Sequence, residues 1–263
     1  MSNNVFHGRN YFERMKEHYP AEVVGDRLSD AVLTEWMRSS EFGVDPPNRF
    51  QRLTERPFSM QQHAWLASRA VQGGAPWLHR LSASRAYKGL LNLKSPFDLV
   101  LYSNLIWELQ PRTIIEFGAF QGGSGLWFAD QLTASDIDGE VHSFEMFDAC
   151  IHPSASHPRL RFHHADLRDV NQLDKELFAA LPHPWLVVDD AHVNVAGLAT
   201  FVNGYMAPGD YYVLEDIFLL ANFEIINQAV LLAEGLGFLV DTKYTDAFGM
   251  NVTCSPNGWL RKS

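Results

Sequence analysis

Short apolar runs alternate with longer stretches of helical length along the second half of the chain. Five of these runs have the length and composition of strands: residues 113–117, 140–144, 160–163, 185–188 and 211–214. Such an alternation is typical of a mostly parallel sheet that is covered by helices on both faces. The pattern therefore predicts an α/β fold with a Rossmann-like core.

A helix is expected directly before the first of these strands. Ser95 and Pro96 suit its start, because proline is accepted in the first helical turn, and Pro111 marks its end. Between these points an apolar stripe is predicted to face the sheet, formed by Phe97, Val100, Leu101, Asn104, Leu105 and Leu109.

The end of the chain has the pattern of a closing hairpin. Residues 237–241 and 251–254 are apolar enough to form strands, and residues 255–258 form a turn that leads back to Trp259. We therefore expect a mostly parallel sheet that is closed by an antiparallel hairpin at one edge.

The first third of the chain is less regular. Helical patches at 28–37 and 61–71 are separated by proline- and glycine-rich breaks, which predicts a helical arm or lid over residues 1–92 ahead of a main domain at 93–263. Aromatic residues such as Trp36 and Trp65 are more typical of a core or a subunit interface than of a substrate cage. This favours a homo-oligomer.

Charge and composition narrow the classes of function. The 263-residue chain has a formal net charge of −10, which provides no basic field for nucleic acid. Cys150 and Cys254 are far apart and form neither a disulfide framework nor a zinc motif. No stretch approaches the roughly 20 apolar residues of a membrane helix. We expect a soluble, cytoplasmic protein whose partner is a small molecule, not nucleic acid or a membrane.

A glycine-rich turn follows the first predicted strand. Gly118, Gly122 and Gly123 let the backbone approach a ligand at the carboxyl end of a strand, where α/β sheets bind cofactors. The spacing differs from the dinucleotide fingerprint, and Glu116 stands just before the turn. A carboxylate repels a pyrophosphate and attracts an ammonium, so S-adenosylmethionine fits better than NAD. The alternative is a turn that is glycine-rich for packing alone.

The next two strands also end near acids. Glu145 follows the glycine turn at about the distance at which nucleoside-binding folds place a carboxylate for ribose hydroxyls. Asp166 is predicted to reach the adenine amino group. Equally, Asp166 could cap a helix that begins near Asp169.

Two further strands run directly into pairs of acids, Asp189-Asp190 and Glu215-Asp216. Carboxylates at neighbouring strand ends repel one another unless a cation separates them, and oxygen ligands favour Mg²⁺ or a similar divalent ion over zinc. The predicted ligands are Asp189, Glu215 and Asp216, with His192 as the base that removes a proton from the acceptor. Taken singly, the acids could instead be helix caps or a solvated turn, and His192 could be structural.

With these motifs in place, the sequence resembles a known family: the metal-dependent O-methyltransferases that include cephalosporin hydroxylase and the rhamnosyl and macrolide-sugar O-methyltransferases. The matching stretches lie at residues 94–98, 115–118, 121–124, 188–192 and 208–216. The resemblance implies a class I methyltransferase fold with a seven-stranded core sheet.

The resemblance also implies roles for single residues. Cofactor contacts would come from the glycine turn and the strand ends, and a divalent cation would be held by the metal ligands predicted above, with Asp189 and His192 as the catalytic pair. The implied cofactor-binding set is Glu116, Gly118, Ala119, Phe120, Gly122, Ser124, Glu145, Asp166 and Asp189. Phe120-Gln121 in the turn and a glutamate at 145 depart from the family pattern.

The predicted function is O-methylation of a hydroxyl on a small specialised metabolite, such as a sugar, polyketide or peptide natural product, with S-adenosylmethionine as methyl donor and a divalent cation beside the acceptor. Antibiotic biosynthesis is one expected setting. Transfer to nitrogen or carbon on the same fold is the first alternative. An NAD-dependent oxidoreductase would leave the acids unexplained, and the intact acids argue against a non-catalytic scaffold.

Overall fold

A mixed sheet forms the centre of the molecule. The computed structural model describes residues 45–57, 86–216 and 231–263. In chain order its strands are β1 (Phe50–Gln51), β2 (Ala86–Tyr87), β3 (Leu90–Leu91), β4 (Thr113–Phe117), β5 (Glu140–Glu145), β6 (Leu160–His164), β7 (Trp185–Asp189), β8 (Tyr211–Leu214), β9 (Phe238–Asp241) and β10 (Trp259–Lys262). The five runs predicted from the sequence are β4 to β8.

Within the described residues, eight strands form this sheet in the order β1-β9-β10-β8-β7-β4-β5-β6, while β2 and β3 pair only with each other. The pairs from β8 to β6 are parallel, and β10 is antiparallel to both β8 and β9. The predicted fold class, a mostly parallel α/β sheet with a closing antiparallel edge, is confirmed. Parallel strands here all end at one rim, and that rim carries the candidate site.

Helices cover both faces of the sheet. They are α1 (Pro96–Leu109), α2 (Gly123–Ala134), α3 (Lys175–Ala180), α4 (Val195–Asn203) and the short α5 (Thr242–Thr245). Alternate residues of β7 enter different cores: Leu186 packs with the side chains of α1 and α2, whereas Val187 packs with those of α3 and α4. Because both faces are covered, the central strands β4, β7 and β8 are buried at every residue, which explains their nearly continuous apolar composition.

Helix α1 starts as the sequence predicts, but its buried face is different. Ser95 accepts a hydrogen bond from the Asp98 backbone N–H, and Pro96 is the first helical residue. The buried side chains include Tyr102 and Ile106, whereas Phe97 and Val100 are 39% and 50% exposed. The predicted stripe was therefore wrong in part: Tyr102 and Ile106 face the core in place of Phe97 and Val100.

The chain end also differs from the prediction. β9 lies close to its predicted position, but residues 251–254 form turns, not a strand. The partner of β9 is β10, in which Leu260 lies opposite Val240. Asn251 has a φ of 58°, a left-handed conformation that strands do not contain.

Residues near the start of the described part join the far edge of the sheet. Phe50 of β1 pairs with Asp241 of β9, and the Arg49 guanidinium binds the Asp241 carboxylate with an Nη2–Oδ2 distance of 2.7 Å. The helical patches predicted at 28–37 and 61–71 lie outside the described residues, so the division at residue 92 stays a prediction. None of the helices in the described part has the length and apolar character needed to cross a bilayer.

Candidate active site

The glycine turn after β4 is fixed by its neighbours. Gly118 has a φ of 91° and Gly122 a φ of 83°. The backbone N–H groups of Gly118 and Ala119 both donate to the Phe144 carbonyl of β5. A Cβ on Gly118 would stand 2.7 Å from the Asp190 carbonyl oxygen. The turn is therefore glycine-rich for two reasons, a left-handed backbone and the close approach of the chain after β7.

A cavity of about 350 Å³ opens beside this turn, at the carboxyl ends of β4 to β7. Four of the predicted cofactor residues line it: Gly118, Phe120, Glu145 and Asp166. The full lining, hereafter the strand-end cavity, is Gly118, Phe120, Phe144, Glu145, Met146, Phe147, Asp166, Leu167, Arg168, Asp190, Ala191 and Val193. The predicted residues Ala119, Gly122 and Ser124 lie in the turn and at the start of α2, outside this lining.

Glu145 organises the mouth of the strand-end cavity. One carboxylate oxygen accepts a hydrogen bond of 2.8 Å from the Phe120 backbone N–H, and the other accepts from the N–H groups of Met146 and Phe147 at 2.9 and 3.1 Å. The carboxylate thus ties the glycine turn to the loop after β5. Its remaining lone pairs face a cavity of ligand size, as the predicted ribose role requires.

Asp166 lies on the opposite lip and is held by Arg168. The Arg168 guanidinium lies 2.6 Å from the Asp166 carboxylate and lowers its pKa. The alternative in which Asp166 caps a helix is wrong: Asp169 caps the short 3-10 turn at Val170–Gln172, accepting from the Asn171 backbone N–H.

Glu116 lies beneath the turn and is fully buried. Its Oε2 accepts a hydrogen bond of 2.7 Å from Ser143, while its Oε1 has no hydrogen-bond partner. Burial raises the pKa of Glu116, against the opposing charge of Lys94. A buried carboxylate oxygen without a donor is costly to the fold, and an ammonium group would satisfy it.

Two of the three predicted metal ligands are covered by other side chains. Asp189 is 2% exposed and accepts a hydrogen bond of 2.5 Å from the Tyr212 hydroxyl. Burial raises the pKa of Asp189 to about 7, although this hydrogen bond lowers it. Glu215 is 4% exposed, accepts from the Tyr102 hydroxyl and lies 3.1 Å from the Lys94 ammonium. Both carboxylates thus have partners within the protein, and neither belongs to the trio of described residues whose ligand atoms lie within 4.8 Å of one another. Their role as metal ligands stays a prediction.

A different set of donors meets at the accessible surface of the rim. One ligand atom each from Asp190, His192 and Asp216 lies within 4.8 Å of the others. His192 Nε2 is 3.2 Å from the Asp190 carboxylate and 3.7 Å from that of Asp216. All three side chains are between a quarter and a third exposed. We call these three residues the accessible cluster.

The backbone and charges of the accessible cluster are unusual. His192 and Asp216 have φ values of 56° and 55°, a region that side-chain-bearing residues enter only when the surrounding fold enforces it. Burial lowers the pKa of His192, but the carboxylates of Asp190 and Asp216 outweigh this and raise it to about 8. Burial also raises the pKa of Asp216 to about 6. The cluster therefore places two carboxylates beside one accessible imidazole and favours its protonated form.

Sequence reasoning missed two of the central residues. Asp190 was considered only as a helix cap, yet α4 begins after Asn194 and Asp190 points into the cluster. Lys94 received no role, although its ammonium lies 3.2 Å from Asp190. One signal was available: a lysine just before a helix N-terminus is disfavoured by the helix dipole unless an acid compensates it.

Comparisons with known proteins identify the family of this chain. A model of the family described as rhamnosyl O-methyltransferase/CmcI matches residues 79–263, more than half of the chain. A rhamnosyl O-methyltransferase from Mycobacterium leprae (strain TN) is 25% identical over 166 residues, which is 59% of this chain and 66% of that protein. This chain thus spans slightly less than two thirds of that relative.

Solved structures of CmcI are similar over most of their length. The apo structure has a TM-score of 0.59 at 25% identity and covers 87% of this chain and 98% of its own. CmcI with Mg and SAM has the same TM-score at 24% identity, covering 92% and 99%, and shows the shared fold. The chain therefore belongs to the rhamnosyl O-methyltransferase/CmcI family of S-adenosylmethionine-dependent methyltransferases, as its sequence predicts.

Proposed function

We propose that this chain transfers a methyl group from S-adenosylmethionine to a hydroxyl oxygen of a small specialised metabolite, with a divalent cation at the accessible cluster. The observation that carries the proposal is the position of Asp190. This residue both lines the strand-end cavity and belongs to the accessible cluster. A methyl donor in the cavity and an acceptor at the cluster would therefore be neighbours.

The strand-end cavity suits the proposed cofactor. Glu145 stands where ribose hydroxyls need an acceptor, and the free oxygen of Glu116 matches the ammonium of the methionine moiety. Asp166 lines the mouth of the strand-end cavity, where it could accept a hydrogen bond from the adenine amino group. The remaining turn residues, Ala119, Gly122 and Ser124, contribute the backbone that brings these groups together. These contacts are proposals that rest on the cavity and on the unsatisfied Glu116 oxygen, which lies beneath the turn and not in the cavity lining.

The donor chemistry of the accessible cluster suits a divalent cation. Two carboxylates and an imidazole are ligands that Mg²⁺ or Mn²⁺ accepts, and no cysteine contributes. His192 Nε2 has no hydrogen bond of acceptable geometry although it faces both carboxylates. CmcI, which shares the fold, has been solved with Mg and SAM. We therefore propose Asp190, His192 and Asp216 as cation ligands at this rim, while the neighbouring Asp189 and Glu215 stay predicted ligands.

Each group then has a defined task. When bound, the cation would polarise the acceptor hydroxyl and lower its pKa. Glu116 and Glu145 would orient the cofactor at its two ends. Because Gly118 has no side chain, the sulfonium of the cofactor could approach the rim closely. In methyl transfer the O–CH₃ bond would form as the S–CH₃ bond breaks with its electrons on sulfur, and the hydroxyl proton would pass to solvent water at the accessible cluster. His192 was predicted as the base for that proton, and its contact with both carboxylates favours a ligand role instead.

Titration and product analysis test the proposal. We expect S-adenosylhomocysteine to bind in the micromolar range whether or not metal is chelated, because cofactor and cation occupy separate sites. With S-adenosylmethionine carrying a deuterated methyl group, sugar, polyketide or peptide acceptors should gain an O–CD₃ group that disappears with chelator and returns with Mg²⁺. Transfer to nitrogen or carbon would favour the first alternative, and no binding of S-adenosylhomocysteine would refute the proposal.

A further inference from the structure

We propose that a second cavity, at the edge of the sheet opposite the strand-end cavity, binds a small molecule with one carboxylate and an apolar body, and that Arg261 holds the carboxylate. The cavity measures about 430 Å³, a volume typical of ligand pockets. We call it the strand-start cavity. The lining residues that matter most here are Phe50, Leu105, Leu109, His183, Pro208 and Arg261.

The topology separates the strand-start cavity from the methyl-transfer site. His183 and Pro184 directly precede β7, while Gly209 and Asp210 directly precede β8. Because β7 and β8 are parallel, their amino ends share one edge of the sheet and their carboxyl ends share the opposite rim. The two cavities are thus about the length of β7 apart, roughly 16 Å at 3.3 Å per residue. A ligand at the strand-start cavity is therefore independent of the proposed function.

Arg261 is a positive group of this cavity that lacks a carboxylate partner. No acidic side chain in the described part of the chain forms an ion pair with it. Its guanidinium carbon lies 4.8 Å from the centroid of the Phe50 ring, and a Cβ on Gly209 would stand 3.6 Å from its Nη2. Stacking on a ring uses the face of a guanidinium and leaves the N–H groups on its edge free to donate. The edge of Arg261 is therefore available to an anion.

Arg49 lies in the same cavity and has its charge compensated. Its guanidinium carbon is 4.9 Å from the centroid of the same Phe50 ring, and the group binds the carboxylates of Asp241 and Glu108. Two guanidinium groups beside one ring repel each other, and the fold supplies carboxylates to only one of them. An anion bound at Arg261 would balance the second charge.

The rest of the lining indicates which anion fits. An apolar wall suited to a hydrocarbon body is formed by Leu105, Leu109, Pro184 and Pro208. His183 Nδ1 is 2.8 Å from the Asp210 carboxylate, and its Nε2 has no partner among the described residues, so it offers a second polar contact. Glu108 and Asp210 also place two carboxylates in the lining, which disfavours a dianion such as a phosphate monoester. A single carboxylate is the charge that suits this cavity.

Titration with 2-naphthoate, a bicyclic ring with one carboxylate, tests this inference by ligand-observed NMR. We expect a Kd on the order of 1 mM or below, the usual strength for a ligand of this size. Arg261→Met keeps an unbranched stem against Phe50 but should weaken binding at least about tenfold, because charged hydrogen bonds are lost. Arg52→Met is the matched control with the same change in net charge. Arg52 is 66% exposed and pairs with Glu234, so its loss should change the Kd by less than about twofold.

Equal Kd values for Arg261→Met and the wild type would overturn the inference, as would the absence of wild-type binding up to about 10 mM. Arg168→Met alters the strand-end cavity instead. If this variant lost the probe while Arg261→Met kept it, the probe would bind at the strand-end cavity, and the inference would again fail.

A comparison of ligands on the wild-type protein avoids any effect of substitution on folding. The neutral 2-naphthamide has the same rings and should bind at least about tenfold more weakly than 2-naphthoate. The dianion 2-naphthyl phosphate should also bind more weakly, because Glu108 and Asp210 repel its second charge. Equal binding of the amide would refute the role of the anion, and tighter binding of the phosphate would refute the carboxylate class.

Discussion

At the scale of single residues, the two adjacent aspartates after β7 have different surroundings. Asp189 is the last residue of the strand and is buried against Tyr212, whereas Asp190 lines the strand-end cavity and joins the accessible cluster. Asp189 accepts hydrogen bonds from the Tyr212 hydroxyl and the Ala191 backbone N–H, whereas Asp190 faces Lys94 and His192. The two carboxylates therefore differ in burial and in partners, although the charges of both raise the pKa of His192.

His192 gives a test of ligand against base. His192→Ala should weaken Mn²⁺ binding by at least about tenfold if its Nε2 is a ligand. In the wild type, Mn²⁺ affinity should rise with pH through about 8, because the pKa of His192 is raised to about 8 and its proton must leave before Nε2 can bind metal. Unchanged Mn²⁺ affinity, together with a lowered kcat that high pH rescues, would instead identify His192 as the predicted base.

Gly118 and Gly89 form a matched pair of left-handed glycines, with φ values of 91° and 84°. A Cβ on Gly118 would collide with the Asp190 backbone, whereas one on Gly89 would meet nothing within 4 Å. Gly89→Ala should cost about 1–2 kcal/mol of unfolding free energy for its conformation alone. Gly118→Ala should cost about 1–3 kcal/mol more and reduce S-adenosylhomocysteine affinity. Equal losses in urea unfolding would show that the close approach to Asp190 is relaxed in solution.

At the scale of elements, β5 combines a structural and a functional end. Its first residue, Glu140, pairs with Arg161 on the surface, and its last, Glu145, organises the strand-end cavity. Between them, His142 stacks on His163 of β6, with ring centroids 5.1 Å apart. One strand thus carries both a pH-sensitive contact and the proposed ribose acceptor.

Glu145→Gln should weaken binding of S-adenosylhomocysteine by about 10- to 100-fold, because charged hydrogen bonds of roughly 1.5–3 kcal/mol are lost and an amide N–H₂ would face backbone donors. Glu140→Gln, at the exposed end of the same strand, should stay within about twofold of the wild type. Calorimetric titration of both variants measures the difference. Equal affinities would remove Glu145 from the cofactor site.

His142 makes the stability of β5 and β6 dependent on pH. Burial, followed by the neighbouring His163, lowers the pKa of His142 to about 4 from the usual 6.5. The unfolded chain then binds more protons between these values, so stability is complete above about pH 6.5 and falls as the pH drops towards 4. The contribution of His142 should be on the order of 2 kcal/mol of unfolding free energy between pH 7 and pH 4.5, measured as the difference between the urea-unfolding pH profiles of the wild type and His142→Gln. A pH profile that His142→Gln leaves unchanged would contradict this.

At the scale of the whole molecule, Arg49 ties β1 to the far edge of the sheet. Its guanidinium binds the fully buried Asp241 carboxylate and also lies 2.5 Å from Glu108 of α1. Arg52, three residues later, is 66% exposed and pairs with Glu234. The two arginines differ in burial and share a chain segment, which makes them a matched pair.

The predicted helical arm and the predicted homo-oligomer both stay predictions at this scale.

Arg49→Met should lower the free energy of unfolding by about 3–5 kcal/mol, because it leaves a buried carboxylate without its partner. Arg52→Met should cost less than about 1 kcal/mol, since an exposed ion pair is screened by water. Urea unfolding of the two variants gives the comparison. Similar small losses would mean that β1 contributes little to the sheet.

Local patterns were sufficient for the elements of the core. The strands β4 to β8, the start of α1 and the glycine turn depend on apolar runs, a capping serine and glycine, all of which act within a few residues. The buried face of α1 and the partner of β9 were mispredicted, because Tyr102 and residues 259–262 owe their places to contacts with distant parts of the chain.

The sequence by itself determined the fold class, the family and the rim on which the acids gather, since these follow from the order of strands and from motifs at their ends. Only the tertiary structure decided which acids are accessible. Lys94 and Tyr102 cover Glu215, and Tyr212 covers Asp189, from positions 23 to 121 residues away in the chain. The direction of a side chain and the partner that neutralises it depend on packing across the sheet, which no local pattern records.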